Sequence, residues 1–565
     1  VSLDPIELQV LTGGLRAACE EMGAALIRSA HSPNIKERRD CSTALFDARG
    51  QMVMQAEHIP VHLGSMPAAV AAVLGEDHSD GRSWMLNDPF AGGTHLPDIT
   101  LITPVLVDGT TADDYRLASG ERRDRADGRG GGGAGEGRQL IGFAVSRAHH
   151  ADVGGRVPGS MPADSRTLAE EGVVISPRPA TSEEIERLVA RMRQPRERRA
   201  DLRAQLAANR IGAQRLRELA QRTGVARLRE GLDAVLDYAE RRTRACLAAL
   251  PDGVHVAEDV LEAIEGDLVL RLRATVEGER LLLDFAGSAP QHAGNLNCPL
   301  AVTYSACYFA VRVLTDPDIP PSAGAYRPVE IRVPEGCLLN ALPTSALGGG
   351  DGNGDGDGSE AGEAPAVAAG NVETSSRVAD LVLAAFGRAL GQGTMNNLTL
   401  GDERFSYYET LGGGQGACPD ADGPSGVHVA MSNTLNTPIE ALERELPLRV
   451  TRYALRRGSG GAGAHHGGDG VVRELEALRE MTFSLITERR RHPPPGAHGG
   501  LPGARGRNLL LEGGAAGRRP ASRAPLQPDS RELPGKVTGV LRPGQRLRLE
   551  TPGGGGDGPP KSASR

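Results

Sequence analysis

Two short stretches of this chain concentrate the side chains that bind divalent cations. They are Asn87-Asp88-Pro89-Phe90-Ala91-Gly92-Gly93-Thr94-His95-Leu96-Pro97-Asp98 and Ser146-Arg147-Ala148-His149-His150-Ala151-Asp152-Val153-Gly154-Gly155. Each holds a His and an Asp three residues apart, and together they carry three of the 14 histidines. Imidazole nitrogens and carboxylate oxygens are the donors of a catalytic metal such as Zn, Mn or Fe, which takes three or four protein ligands and keeps one position open. With Asp40 added, the candidates are Asp40, His95, Asp98, His149, His150 and Asp152, more than one ion needs, so some must orient the others. Singly, each also suits a strand-end cap or an Asx turn beside Gly and Pro. Together they point to a metal site or to direct catalysis. His58 and His62 could be further ligands or pocket walls, although an ordinary structural role is the simpler reading for both.

Loops at strand ends must aim these groups at one point. Apolar residues near helical spacing predict a helix over 5–29, and Ser42–Phe46 with Gln51–Gln55 around the turn Asp47-Ala48-Arg49-Gly50 predict a hairpin that begins just after Asp40. Ile99–Val107 reads as a buried strand and Leu140–Val145 as its partner, with Pro104 arguing for an edge or bulge. If the two pair antiparallel, the start of one lies beside the end of the other and the two histidine motifs meet. Residues 108–138 between them are polar and turn-rich, an insertion expected to loop out.

Beyond this N-terminal metal-site region (1–180), residues 181–250 read as an Arg-rich helical arm packed on the body or on a partner, with acidic residues interleaved. Residues 251–347 read as an α+β region, with strands at Leu268–Leu272 and Leu281–Phe285 and a helix over 300–314. A low-complexity insert (348–370) follows. A β-rich C-terminal region (371–558), with a helix over 377–390, and a disordered tail (559–565) complete the chain. The expected class is α+β, a mixed chain of several subdomains.

At 565 residues the chain exceeds the size of one core, and a net charge of -8 gives no overall pull toward nucleic acid or an anionic membrane. No run approaches the ~18 apolar residues of a spanning helix. The N-terminus lacks the features of a secretory signal, so a cytoplasmic location is expected. Seven scattered cysteines never form Cys-x-x-Cys, which argues against a disulfide framework or thiolate site. Cys41 and Cys298 suit small buried side chains better than nucleophiles. Gly412–Gly416 and Gly458–Gly463 lack the Gly-Lys-Ser/Thr ending of a phosphate loop, so these glycines are expected at tight turns or close backbone approaches. There is no Gly-x-Ser-x-Gly elbow, and Ser160 in its Pro-Gly turn is a weak nucleophile candidate.

A succession of motifs in order carries a stronger signal. It comprises Arg38–Met66, Asn87–Asp98, Ser146–Pro162, Gly294–Asn297, Gly370–Ser375, Gly393–Asn397, Tyr407–Thr410, Ser432–Pro438, Gly458–Gly470, Glu488–Arg491, Leu533–Lys536 and Thr551–Gly556. In these the chain resembles the hydantoinase B family, which includes the C-terminal portion of 5-oxoprolinase and a subunit of acetone and acetophenone carboxylases. The resemblance implies a B-type subunit of an ATP-dependent hydrolase of hydantoins, 5-oxoproline or similar lactams, working in a hetero-oligomer. A separate A-type subunit would bind ATP and phosphorylate the substrate carbonyl, and this chain would process the activated ring. A carboxylase subunit and a non-catalytic scaffold for the ATP-binding partner are the alternatives. On this reading Asp40, His95, Asp98, His149 and Asp152 hold the metal and His149, His150 and Asp152 are catalytic. Asn87, Asp88 and Arg147 would contact the substrate. The insert near Gly348 and the lengthened 108–138 connection depart from the family pattern.

Overall fold

The computed structural model describes residues 3–57, 59–108, 138–343, 364–512 and 530–560. His58, nearly all of the 108–138 insertion, residues 348–363 and the end of the tail lie outside the described residues.

Helix α1 (Pro5–Ser29) starts where Asp4 accepts a hydrogen bond from the Ile6 amide, with Pro5 at a position that needs no donor. Leu15, Cys19, Met22 and Leu26 form its buried side. Strands β1 (Cys41–Asp47), β2 (Met52–Glu57), β3 (Trp84–Leu86), β4 (Asp98–Val107), β5 (Gln139–His149) and β6 (Arg178–Pro179) build one sheet in the order β2-β1-β5-β4-β3-β6. The expected hairpin is present, and β4 and β5 pair antiparallel, the sense in which the two histidine motifs meet. Pro104 lies inside β4 opposite Phe143, but β3 reaches only Thr100–Ile102 on the other side. The missing proline N–H therefore breaks no ladder there.

Both faces of this sheet are covered, which is why its strands read as continuous apolar runs. Helices α2 (Pro195–Thr223) and α3 (Val225–Leu247) join α1 on one face, where Leu45, Ile141 and Ala144 meet Met22, Ala208 and Leu216. The helical arm thus packs on the body: Gln205 and Asn209 of α2 donate side-chain hydrogen bonds to the carbonyls of Ile99 and Leu101. On the opposite face Phe46, Phe143 and Val145 pack against Met66 and Val70.

Strands β7 (Gly253–Ala263), β8 (Gly266–Glu277), β9 (Arg280–Asp284) and β10 (Val329–Arg332) form a second sheet, covered by α4 (Leu300–Leu314) and α5 (Ser375–Ala385). A single π-helical turn, Gly370–Thr374, leads into α5. The C-terminal half is β-rich. It contains β11 (Asn397–Gly401), β12 (Ser406–Glu409), β13 (Leu448–Arg456), β14 (Gly470–Ala477), β15 (Met481–Ile486), β16 (Arg507–Leu511), β17 (Ser530–Leu533), β18 (Lys536–Leu541) and β19 (Arg546–Glu550). These make a sheet β12-β11-β15-β18 and a sheet β13-β14-β19-β16-β17, sharing a core of Leu400, Leu475, Phe483, Leu485 and Leu549. The glycine-rich loops at 412–416, 458–470 and 551–556 lie backbone against backbone. A Cβ on Gly414 would stand 1.9 Å from Gly468 O and 2.2 Å from Gly554 N. The expected close approach is the reason for glycine here, and the fold is a mixed α+β assembly of several packed subdomains.

Candidate metal centre

The register of β4 and β5 builds the site. Asp98, the first residue of β4, lies directly opposite His149, the last residue of β5. His95 is delivered by the turn before β4, where the Asp98 amide donates to the His95 carbonyl at 3.0 Å. Three ligand atoms converge. His95 Nε2 and His149 Nδ1 are 3.2 Å apart, and Asp98 Oδ1 is 3.2 Å from each. Bonds of about 2.0–2.1 Å to one ion place tetrahedral ligand atoms roughly 3.3 Å apart. Hydrogens alone satisfy such a triangle poorly, because a neutral imidazole has a single N–H and two ring nitrogens here compete for one carboxylate oxygen. Two imidazoles and one carboxylate are also a donor set suited to Zn, Mn or Fe. Among the described residues this trio is the His/Cys/Asp/Glu group spaced to hold a metal.

All three side chains are buried. Burial alone would raise the Asp98 pKa, but the imidazoles of His95, His149 and His62 outweigh it and hold the carboxyl well below its usual range. Burial lowers the pKa of His149, partly opposed by Asp98 and Asp40. Both directions favour the metal-binding forms, a carboxylate and a neutral imidazole. Asp98 Oδ2 accepts from Thr94 Oγ1 at 2.6 Å and stands 3.6 Å from His62 Nε2.

The surrounding cavity is lined by Asp40, His62, Asn371, Tyr408, Thr410 and Ser432, among others. Its volume of about 20 Å³ is room for one or two waters. Asp40 lines it without joining the triangle, and its carbonyl accepts the His149 amide at 3.0 Å. Tyr408 stacks on the His149 ring at 4.5 Å and 13°, and its hydroxyl donates to Asn397 Oδ1 at 2.8 Å. Arg38 lies over the other partner of this stack, 4.6 Å from the Tyr408 ring centre.

Other candidates are placed elsewhere. Strand alternation turns His150 to the α2 face, where Nε2 meets Gln205 Oε1 at 3.0 Å and burial lowers its pKa to about 4. Asp152 lies past the end of β5. Its carboxylate accepts from the amides of Gly154 (2.7 Å) and Gly159 (2.8 Å) and pairs with Arg193 at 3.1 Å. It is committed to a turn and does not reach the cluster, so the two His-x-x-Asp spacings have different fates. Ser160 Oγ likewise accepts the Val153 and Gly155 amides in that turn. Asn87 bonds Leu96 O, Val173 O and Ile175 N, and Asp88 caps the turn at Phe90 N. Arg147, wholly buried, binds Thr100 Oγ1, both Ser65 oxygens and Gly92 O. None of these three lines the cavity. They hold the loop that carries His95.

His62 does line the cavity, although its sequence context alone favoured an ordinary role, and Nδ1 lies 2.9 Å from Ser42 Oγ. Tyr408 and Asn371 were not singled out by residue chemistry. The signal that contained them was the pair of motifs Tyr407–Thr410 and Gly370–Ser375. Asn371 is aimed by the π-helical turn, and its Oδ1 is buried with no hydrogen-bond partner among the described residues. Cys298 is not a nucleophile candidate here, since burial pushes its thiol up to about 12.

Comparison with known proteins bears on the family and the fold. Residues 4–560 match the family model described as Hydantoinase B/oxoprolinase. The chain is 36% identical to 5-oxoprolinase 1 of Arabidopsis thaliana over 98% of its own length and 42% of that protein. It is 32% identical to an uncharacterized protein of Methanocaldococcus jannaschii, covering 99% and 91% of the two. It thus spans about two fifths of the plant relative. Its fold matches the ATP-dependent caprolactamase from Pseudomonas jessenii with a TM-score of 0.82 at 25% identity, covering 99% of this chain and 92% of that one. Acetone carboxylase shares the fold, with a TM-score of 0.78 at 17% identity over 98% and 76% of the chains. From the matched span and the shared fold it follows that the chain belongs to the Hydantoinase B/oxoprolinase family.

Proposed function

We propose that this chain is the B-type subunit of an ATP-dependent cyclic-amide hydrolase and opens a lactam or hydantoin ring whose carbonyl oxygen has been phosphorylated by an A-type partner. The observation that carries the reading is the His95–Asp98–His149 triangle, buried beside a cavity large enough for water. An unstrained amide resists water because of its resonance, and phosphorylating its oxygen creates a better electrophile. A divalent ion held by the three residues would lower the pKa of water and polarise the electrophile. Thr94 and His62 hold the Asp98 carboxylate, and Tyr408 braces the His149 ring. Asp40 is the remaining carboxylate on the cavity wall and is assigned the proton of the attacking water. Support for ATP use comes from the fold shared with the ATP-dependent caprolactamase from Pseudomonas jessenii.

The test is elemental analysis and ring-opening assay of the complex with its ATP-binding partner. Wild type carries stoichiometric Zn, Mn or Fe and consumes ATP with ring opening. His149→Ala loses the metal and at least ~100-fold in turnover while the complex stays assembled. Unchanged turnover would leave only a scaffold role. Bicarbonate consumption without ring opening would instead identify a carboxylase subunit.

A further inference from the structure

A second cavity, of about 300 Å³, adjoins the metal cavity, and Ser432 lines both. The partition between them is made by two segments. Ile59, Val61 and Met431 line the metal side, while Pro60 and Ala430 line the far side. Ala430 holds a left-handed backbone, φ 51°, a conformation an alanine keeps only where its surroundings impose it. The metal cavity, at about 20 Å³, takes water but no ring. The larger chamber sits at the low end of the ~300–1,000 Å³ typical of small-molecule sites.

The walls of the chamber are mostly apolar, with Phe309, Leu383, Leu390 and Val429 among them. Its polar groups include Gln415 and His428, whose Nδ1 is 2.6 Å from Ser432 Oγ. Asp380 also lines it, and that carboxylate is already paired with Arg489 at 3.3 Å. Among the described residues no lysine or arginine lines either cavity. An anionic substituent held in the chamber, away from the ion that would face the phosphorylated carbonyl, would lose its water without gaining a counter-charge. An apolar ring with one amide would fill the space and find hydrogen-bond partners.

We propose that this chamber binds the ring of the substrate, with the carbonyl directed past Ser432 toward the metal side, and that it selects an uncharged lactam over one bearing a carboxylate. The inference rests on the cyclic-amide reading and narrows it to a substrate class.

Binding measured by calorimetry on the chain in complex with its partner tests it without relying on turnover. The probes are 2-pyrrolidinone, its 5-carboxylate and a seven-membered lactam. The variants are Ala389→Trp and Val313→Trp. Val313 lines the chamber yet is 46% exposed, so tryptophan there does not burden the core. Both variants should weaken the seven-membered lactam tenfold or more. The carboxylate should bind at least tenfold more weakly than 2-pyrrolidinone. Wild-type affinity in both tryptophan variants, or equal affinity for the charged and uncharged rings, would overturn the proposal. Intact, selective lactam binding without ring opening would support the chamber and sink the hydrolase reading instead, so the two failures are distinguishable.

Discussion

Glu373, in the π-helical turn beside the metal cavity, shows how single residues tie stability to pH. Its Oε1 accepts from the Met395 amide and Asn397 Nδ2, while Oε2 is buried without a partner among the described residues. Burial, with the nearby Glu488 charge, pushes its pKa up to about 8. A carboxyl raised in the folded state stabilises the fold fully below its unfolded pKa of about 4.5 and loses that contribution as pH rises through about 8. Glu373→Gln keeps an acceptor for both donors and removes the titration. Its stability relative to wild type should therefore rise by about 1.4 kcal/mol per pH unit within that window. Thermal melts at pH 5 and pH 9 check this, and a constant difference in Tm between the two would refute it.

At the scale of elements, buried ion pairs lock the second sheet to the C-terminal sheet that carries β15 and β18. Lys536 Nζ contacts Glu488 Oε1 at 2.5 Å and the Glu262 carbonyl at 2.7 Å, while Arg377 and Arg489 flank Asp259 at 3.0 and 2.7 Å. Lys536→Met would leave Glu488, near Glu373, without its closest cation, held by the Glu262 amide at 3.1 Å and by Arg377 at 3.5 Å. A loss of ~3–5 kcal/mol by denaturant titration is expected, and a loss below 1 kcal/mol would show the network to be relaxed by solvent. The second element-scale feature is the stack of glycine loops. Its glycines were legible as a composition, but which loop touches which depends on chain crossings between residues 414, 468 and 554.

At the scale of the whole molecule, the candidate metal centre lies where the first sheet meets the C-terminal half. Arg38, fully buried, spans that junction: Nη1 donates to the Tyr408 carbonyl at 2.8 Å, and Nη2 to Thr410 and Thr434 at 3.0 and 3.3 Å. Arg38→Met should cost ~2 kcal/mol or more, because the buried Tyr408 carbonyl loses the guanidinium donor and the Thr410–Thr434 hydroxyl pair loses the charge it faces. It should also lower metal affinity by loosening Tyr408 from His149. Retained metal with an unchanged Tm would separate the junction from the site. No helix among the described residues is long and apolar enough to cross a membrane.

The sequence by itself determined the donor types, the helix over Pro5–Ser29, the hairpin, and β4 and β5 as partner strands, whose antiparallel sense in the structure brings Asp98 to His149. These follow from local periodicity and turn chemistry, which a short window of chain contains. Only the tertiary structure decided that Asp152 serves a turn while Asp98 serves the cluster, although both follow a histidine by three residues. One Asp begins a paired strand and the other lies beyond a strand's end, where nearby amides and Arg193 capture it. The arrival of His62, Asn371 and Tyr408 at the same cavity likewise depends on packing between segments far apart in the chain, a property no local pattern of residues can carry.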